Sequence, residues 1–379
     1  MTNRRPQNRR VRRRKRTARR RFWRFVNNGG LVILFFAVVS ITLITVSSIF
    51  AIHAIMERRS ADSDVDDEVF VTGDIYDENP VTEEQEIDIP EPVDPEVASF
   101  APGYIFEKSD RYQKLPEFLE DGTGSSIVSQ YAALVDVDSN EIIAGRAPYT
   151  VINPASMTKV LTLLVAVENI DNIDDKVVIT DDITQYTYDH DCSVVGFSPG
   201  EKVTVRDLLY GTILPSGADA VLALCNYVAG SQDEFVAMMN EKVDELGLSE
   251  TAHFTNATGL YDEAHHCTPV DMAVIMKAAL MHDICRDVLY ARTYTTRKTK
   301  EHPDGILISN WFLRRIEDKA MPGEISGAKT GFVKESGNCA VSYLVGDDGR
   351  HYICATGWST SAWRCIYDHV DIYNGYAGQ

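Results

Sequence analysis

The chain has 379 residues, enough for one sizeable domain or two small ones, and its 44% apolar content suits a buried core. The formal charge of -19 hides an asymmetry, because thirteen of the 37 Lys and Arg lie between Arg4 and Arg24 and the remainder is strongly acidic. That acidity argues against nucleic acid as a partner of the body, since a nucleic-acid face needs clustered basic side chains.

Residues 1–30 form the basic tail. Leu31 to Ile55 follows as an apolar run interrupted only by His53. It is long enough to cross the ~30 Å hydrocarbon core of a bilayer, and the spacing predicts one transmembrane helix over 31–55. A cleavable signal peptide fits less well, because its apolar region is usually shorter and no small-residue cleavage site precedes Met56-Glu57-Arg58-Arg59. The arginine-rich flank places residues 1–30 in the cytoplasm and everything after the helix outside the cell membrane. Residues 56–103 read as an acidic, disordered stalk. Between Asp62 and Glu96 there are fifteen Asp or Glu, no Lys or Arg, and prolines at 80, 90, 92 and 95. No loop there has the alternating carboxylates and glycine of a calcium site.

The folded body is expected over 104–379. A hairpin comes first, with Tyr131 to Val137 and Glu141 to Arg146 joined by Asp138-Ser139-Asn140. Helical spacing of apolar residues then marks Lys159 to Asn169, Val205 to Leu214, Ala218 to Val228, Gln232 to Leu246 and Pro269 to His282. A second hairpin, Asn338 to Asp347 with His351 to Trp358, precedes a closing helix from Ser361 to Tyr373. Strands thus gather at the two ends of the body. If they share one antiparallel sheet, the helices form an inserted lobe, giving an α+β architecture with a cleft at the junction. Seven widely spaced cysteines contain no CxxC pair and imply no disulfide framework, although a pairing remains open.

Three short motifs carry chemistry. Asn153-Pro154-Ala155-Ser156-Met157-Thr158-Lys159 opens a helix, so Ser156 and Lys159 share a face within hydrogen-bond reach. A serine hydroxyl is a poor nucleophile until a base takes its proton, and a lysine of depressed pKa can do so. Ser326-Gly327-Ala328-Lys329 also reads SxxK, but it lies in a predicted strand, where residues three apart point to opposite faces. Lys329-Thr330-Gly331 could clamp a carboxylate and let backbone approach a scissile group. Ser216-Gly217-Ala218-Asp219 offers a second hydroxyl at a helix start. His265-His266-Cys267 lacks a second ligand cluster and reads as structural, so neither a metal nor a cofactor is expected. Asn256 and Gly259 read as a turn.

An SxxK motif, a serine-containing middle motif and KTG, in that order, resemble the penicillin-binding proteins and serine β-lactamases. The flanks, including Pro154 to Leu164, Leu208 to Ala220, Phe254 to Leu260, His266 to Ala273 and Gly327 to Val333, are similar to the low-molecular-weight D-alanyl-D-alanine carboxypeptidases. The resemblance covers the body from about residue 128. It implies a serine-type carboxypeptidase that trims stem peptides ending in D-Ala-D-Ala and is inhibited by β-lactams. Ser156 would be the acylated nucleophile and Lys159 its base. Ser216 would relay a proton to the leaving D-alanine, and Lys329 and Thr330 would hold its carboxylate beside Gly331. The backbone N–H groups of Ser156 and Phe332 would form the oxyanion hole. The proximity of Lys329 would keep Lys159 neutral. The middle motif departs from the family's Ser-x-Asn at Ala218, while Ser336-Gly337-Asn338 falls out of order after KTG. Forty-eight residues follow Gly331, room for two strands and a helix without an appended β-domain. A non-hydrolytic penicillin-binding receptor, an endopeptidase and a β-lactamase are the competing readings.

Overall fold

The computed structural model describes residues 100–117 and 126–378. The basic tail, the apolar run and residues 56–99 of the expected stalk lie outside the described residues. Among the described residues no helix is long and apolar enough to cross a membrane. The described residues begin at Phe100, inside the segment expected to be stalk. Phe100 is buried edge-on to Tyr343 and His351, and the Lys277 ammonium donates to the carbonyls of Ala101 and Gly103 at 2.7 Å each.

The first strand, β1 (Glu107–Lys114), is followed by the predicted hairpin, β2 (Tyr131–Asp136) and β3 (Glu141–Arg146). A 3-10 turn at Ala155–Met157 leads into α1 (Thr158–Asn169). Next come β4 (Lys176–Val178), α2 (Asp181–Asp189), β5 (Lys202–Thr204), α3 (Val205–Ile213), α4 (Ala218–Ala229) and α5 (Gln232–Glu245). The middle of the chain closes with α6 (Pro269–Leu280), α7 (Asp283–Tyr290), β6 (Thr293–Thr295), β7 (Leu307–Ser309) and α8 (Trp311–Ile316). The body ends with β8 (Gly323–Val333), β9 (Gly337–Gly346), β10 (His351–Ser359) and α9 (Ala362–Tyr376).

Six strands form one sheet in the order β1-β3-β2-β10-β9-β8, which joins the two ends of the body across the β2–β10 pair as expected. One pair departs from the antiparallel expectation: β1 runs parallel to β3. Its sequence, EKSDRYQK, has no apolar alternation because it lies at the sheet edge with only Ser109 buried. The expected inserted lobe is present, with α1 to α5 between the halves of the sheet.

Both faces of the central strands are covered. Along β9, Cys339, Val341 and Tyr343 face the core shared with the helical lobe, while Ala340 and Leu344 face α9. The period of two divides β2 and β10 in the same way, with Ala133, Val135, Ile353 and Ala355 on one side and Ala132, Leu134, Tyr352 and Cys354 on the other. Such strands read as continuous apolar runs, which is where the small hydrophobe cysteine fits. All seven cysteines are free thiols, and six of them are buried.

Candidate active site

The cleft lies where the start of α1 meets β8. Asn153 builds the turn by accepting from the Ala155 N–H and donating to the His265 carbonyl, both at 2.9 Å. Ala155 takes φ +47°, a strained value for a residue with a Cβ, and this presents Ser156 at the mouth of the buried helix. From there Lys159 reaches back along α1, and its Nζ donates to Ser156 Oγ at 2.9 Å and to the Thr258 carbonyl at 2.6 Å. Asn256 fixes that carbonyl by accepting from the N–H groups of Thr258, Gly259 and Leu260. Gly259, at φ +80°, lies against the Ala155–Met157 turn: a Cβ there would sit 2.0 Å from the Ala155 carbonyl oxygen and 2.9 Å from the Ser156 nitrogen.

The opposite wall is β8. Lys329 Nζ donates to Ser216 Oγ at 3.0 Å and to the Thr330 carbonyl at 2.7 Å. A Cβ at Gly331 would lie 2.9 Å from both the Pro154 carbonyl oxygen and the Ser156 nitrogen, so glycine is what lets the strand close on the turn. Phe332 follows, is 62% exposed, and contributes to the rim of the cleft. Ser216 adopts φ +61° two residues before α4, a second strained residue beside the cleft. The second SxxK match is separated from this geometry, because Ser326 lies in β8 at a shift of register between Ile325 and Gly327.

Both lysines are almost fully buried, at 3% and 2% exposed. Burial pushes the Lys159 ammonium down to about 8, against weaker opposing contributions from Cys192 and Asp219. Of the two causes that can depress a lysine, burial and a neighbouring cation, burial dominates at Lys159. Lys329 is held well below the ordinary lysine value, first by burial and then by repulsion from Lys159.

The set of groups is therefore a serine, a lysine of lowered pKa hydrogen-bonded to it, and a second serine–lysine pair on the facing wall. A family profile described as D-alanyl-D-alanine carboxypeptidase matches residues 120–354. The chain belongs to that family. It is 32% identical over 233 residues to the D-alanyl-D-alanine carboxypeptidase DacF of Bacillus subtilis, covering 60% of this chain and 57% of that protein. The fold is similar to a point mutant of the Streptomyces K15 DD-transpeptidase, with TM-score 0.61 and 28% identity over 65% of this chain and 97% of that one. A D-alanyl-D-alanine carboxypeptidase structure from Mycobacterium tuberculosis gives TM-score 0.57 at 28% identity, covering 64% of this chain and 89% of that one. The chain spans a little over half the length of the first curated relatives it matches, 57% and 55%.

Where the family's middle motif usually has asparagine, this member has Ala218, and the neighbouring Asp219 organises the wall instead. Its buried carboxylate accepts from the N–H groups of Val195 and Gly196 at 2.9 and 3.0 Å, and from those of Phe197 and Ala220. Ala218 adds its own N–H to the Ser193 carbonyl at 2.8 Å. This network presents Asp191, Cys192 and Ser193 to the cleft, three residues that sequence reasoning missed along with the Thr258 carbonyl. The signal available for the loop was Asp219 itself, an acidic residue in an apolar helix. Ser336 closes the β8–β9 turn on Val333, so Ser336-Gly337-Asn338 is the approach to β9, as read from the sequence.

His265 is structural, as read from the sequence. Its Nδ1 accepts from the Thr255 N–H, leaving Nε2 to donate to Thr158 Oγ1 at 2.8 Å, and burial lowers its pKa to about 4. The packing at Gly259 makes a direct expectation. Gly259→Ala destabilises the protein by about 2 kcal/mol or more, through αL strain and the clash with the Ala155 carbonyl. Denaturant unfolding would register it as a lowered midpoint; an unchanged midpoint would refute the contact.

Proposed function

We propose that the chain is a serine-type D-Ala-D-Ala carboxypeptidase acting on peptidoglycan stem peptides through an acyl-enzyme at Ser156. The observation that carries this reading is the 2.9 Å hydrogen bond between Ser156 Oγ and a buried lysine whose pKa is lowered to about 8. A neutral Lys159 Nζ takes the hydroxyl proton as Oγ bonds to the carbonyl carbon of the penultimate D-alanine. The backbone N–H groups of Ser156 and Phe332 receive the oxyanion. Collapse of the tetrahedral intermediate breaks the C–N bond, and the proton reaches the departing amine through Ser216 Oγ. Water then attacks the ester carbonyl, Lys159 takes one of its protons, and that proton returns to Ser156 Oγ as the shorter peptide leaves.

Lys329 and Thr330 are the groups that meet the terminal carboxylate. Lys329 has only neutral acceptors, Ser216 Oγ and the Thr330 carbonyl, among the described residues. An incoming carboxylate raises its pKa and favours the ammonium, so substrate and charge arrive together. β-Lactams inhibit by forming the same ester on Ser156. The apolar run 31–55 and its arginine-rich flank support a single-pass anchor in the cell membrane, with the cytoplasmic tail on one side and the acidic stalk and catalytic body outside. Protease added to intact spheroplasts should then digest the body and spare the tail; a protected body would reverse the orientation.

The full chain is expected to release D-alanine from a D-Ala-D-Ala pentapeptide and to form a penicilloyl adduct, with both lost in Ser156→Ala. An adduct without release would indicate a receptor, and neither product from the folded chain would remove Ser156 as nucleophile. Acylation by penicillin should rise about tenfold per pH unit below pH 8 and level off above it, because deprotonation of Lys159 supplies the base. Stopped-flow acylation from pH 6 to 9 measures this, and a flat profile would exclude Lys159 as the titrating base.

A further inference from the structure

One buried carboxylate beside the cleft has no step of its own in the acyl transfer. Asp219 is the second residue of α4 and is 2% exposed. A carboxylate taken out of water is costly unless hydrogen bonds and a favourable field replace its hydration. Four N–H groups do so here, those of Val195 and Ala220 on Oδ1 and those of Gly196 and Phe197 on Oδ2, and the N-terminus of α4 adds its dipole. Three of these donors belong to the loop between α2 and β5. The Ala218 N–H ties the same loop to α4 a second time, through the Ser193 carbonyl. Gly217 leaves room for the contact, since a Cβ there would lie 2.7 Å from both Asp219 Oδ1 and Val195 Cγ2.

What the carboxylate fastens is a wall of the cleft. Asp191, Cys192 and Ser193 line the same cavity as Ser156, Lys159 and Ser216. Residues 192–198 belong to no helix or strand, so the loop depends on these few bonds for its place. Ala218 lines the cavity with a methyl group, which leaves the polar contacts of this side to the loop. The charge of Asp219 matters as well as its bonds. Among the described residues Lys159 forms no salt bridge, and Asp219 is the carboxylate whose field reaches it, opposing the burial that lowers its pKa. The other titratable groups around Lys159 are Asp191 and Cys192 on the loop, Lys329 on β8 and His265 ahead of α6.

We infer that Asp219 is a positioning residue for the reaction at Ser156: through the backbone at 195–197 its carboxylate holds the Asp191–Ser193 wall toward the acyl donor, and through space it attracts the Lys159 ammonium. This inference rests on the carboxypeptidase reading, and two measurements on the full chain separate them. Cys192 reports on the wall, because it is half-buried while the other six cysteines are buried. Its alkylation by iodoacetamide, followed by mass spectrometry, should quicken about tenfold in Asp219→Asn as the loop opens. The same gain is expected in Gly217→Ala, which crowds the carboxylate and keeps its charge. Stopped-flow acylation by penicillin then isolates the charge. At pH 7 the rate, taken relative to its high-pH plateau, should rise about fivefold in Asp219→Asn, because loss of the carboxylate favours the neutral base, and should be unchanged in Gly217→Ala. A residue that only stabilised the fold would leave that pH profile where it was. Unchanged labelling in both folded variants, or an unmoved profile in Asp219→Asn, overturns the inference. Faster labelling in variants of a chain that penicillin never acylates would instead overturn the carboxypeptidase reading and leave Asp219 as the fastening of the wall.

Discussion

Two lysines are buried in one cleft with only uncharged hydrogen-bond partners, and the rest of the site follows from that constraint. An ammonium removed from water is costly unless something compensates it. Here Lys159 relies on a hydroxyl and the Thr258 carbonyl, and Lys329 on a hydroxyl and the Thr330 carbonyl. Among the described residues no salt bridge reaches either one. The cleft therefore disfavours two charges at once, which makes one lysine available as a base and leaves the other short of an anion. The hydroxyls of Ser156 and Ser216 are the hydrogen-bond partners of these lysines, so the packing of the cleft rests on the same four atoms.

Holding that arrangement requires backbone in unusual places. Among the described residues six non-glycine residues have positive φ, and Ala155, Asp191 and Ser216 all flank the cleft. Close approach is the reason at the first of these. The Ala155–Met157 turn is pressed between Gly331 on one side and Gly259 on the other, and neither position has room for a Cβ. Strain gathered in this way is what a preorganised site shows, with the surrounding helices over-determining the local conformation. The wall bearing Cys192 and Ser193 has a different origin. It is an irregular loop fastened by one buried carboxylate, Asp219, and the alanine beside that carboxylate contributes only its backbone N–H.

Sequence by itself determined the sheet halves, the long helices of the inserted lobe, and the candidate residues. Ser156 and Lys159 were legible because helical spacing alone puts residues three apart on one face. The apolar runs of β2, β9 and β10 were legible because both faces of those strands are buried. Short or edge elements were not: β1 has no apolar face to display, α7 and α8 are helices of 8 and 6 residues, and α2 buries only Ile183 and Thr187. Only the tertiary structure decided which groups meet. The pairing of Ser216 with Lys329, 113 residues apart, and the anchoring of Lys159 on Thr258, 99 residues away, arise from contacts between distant segments. The depressed lysine pKa belongs to the same class, because desolvation is a property of the closed cleft and has no local sequence signal.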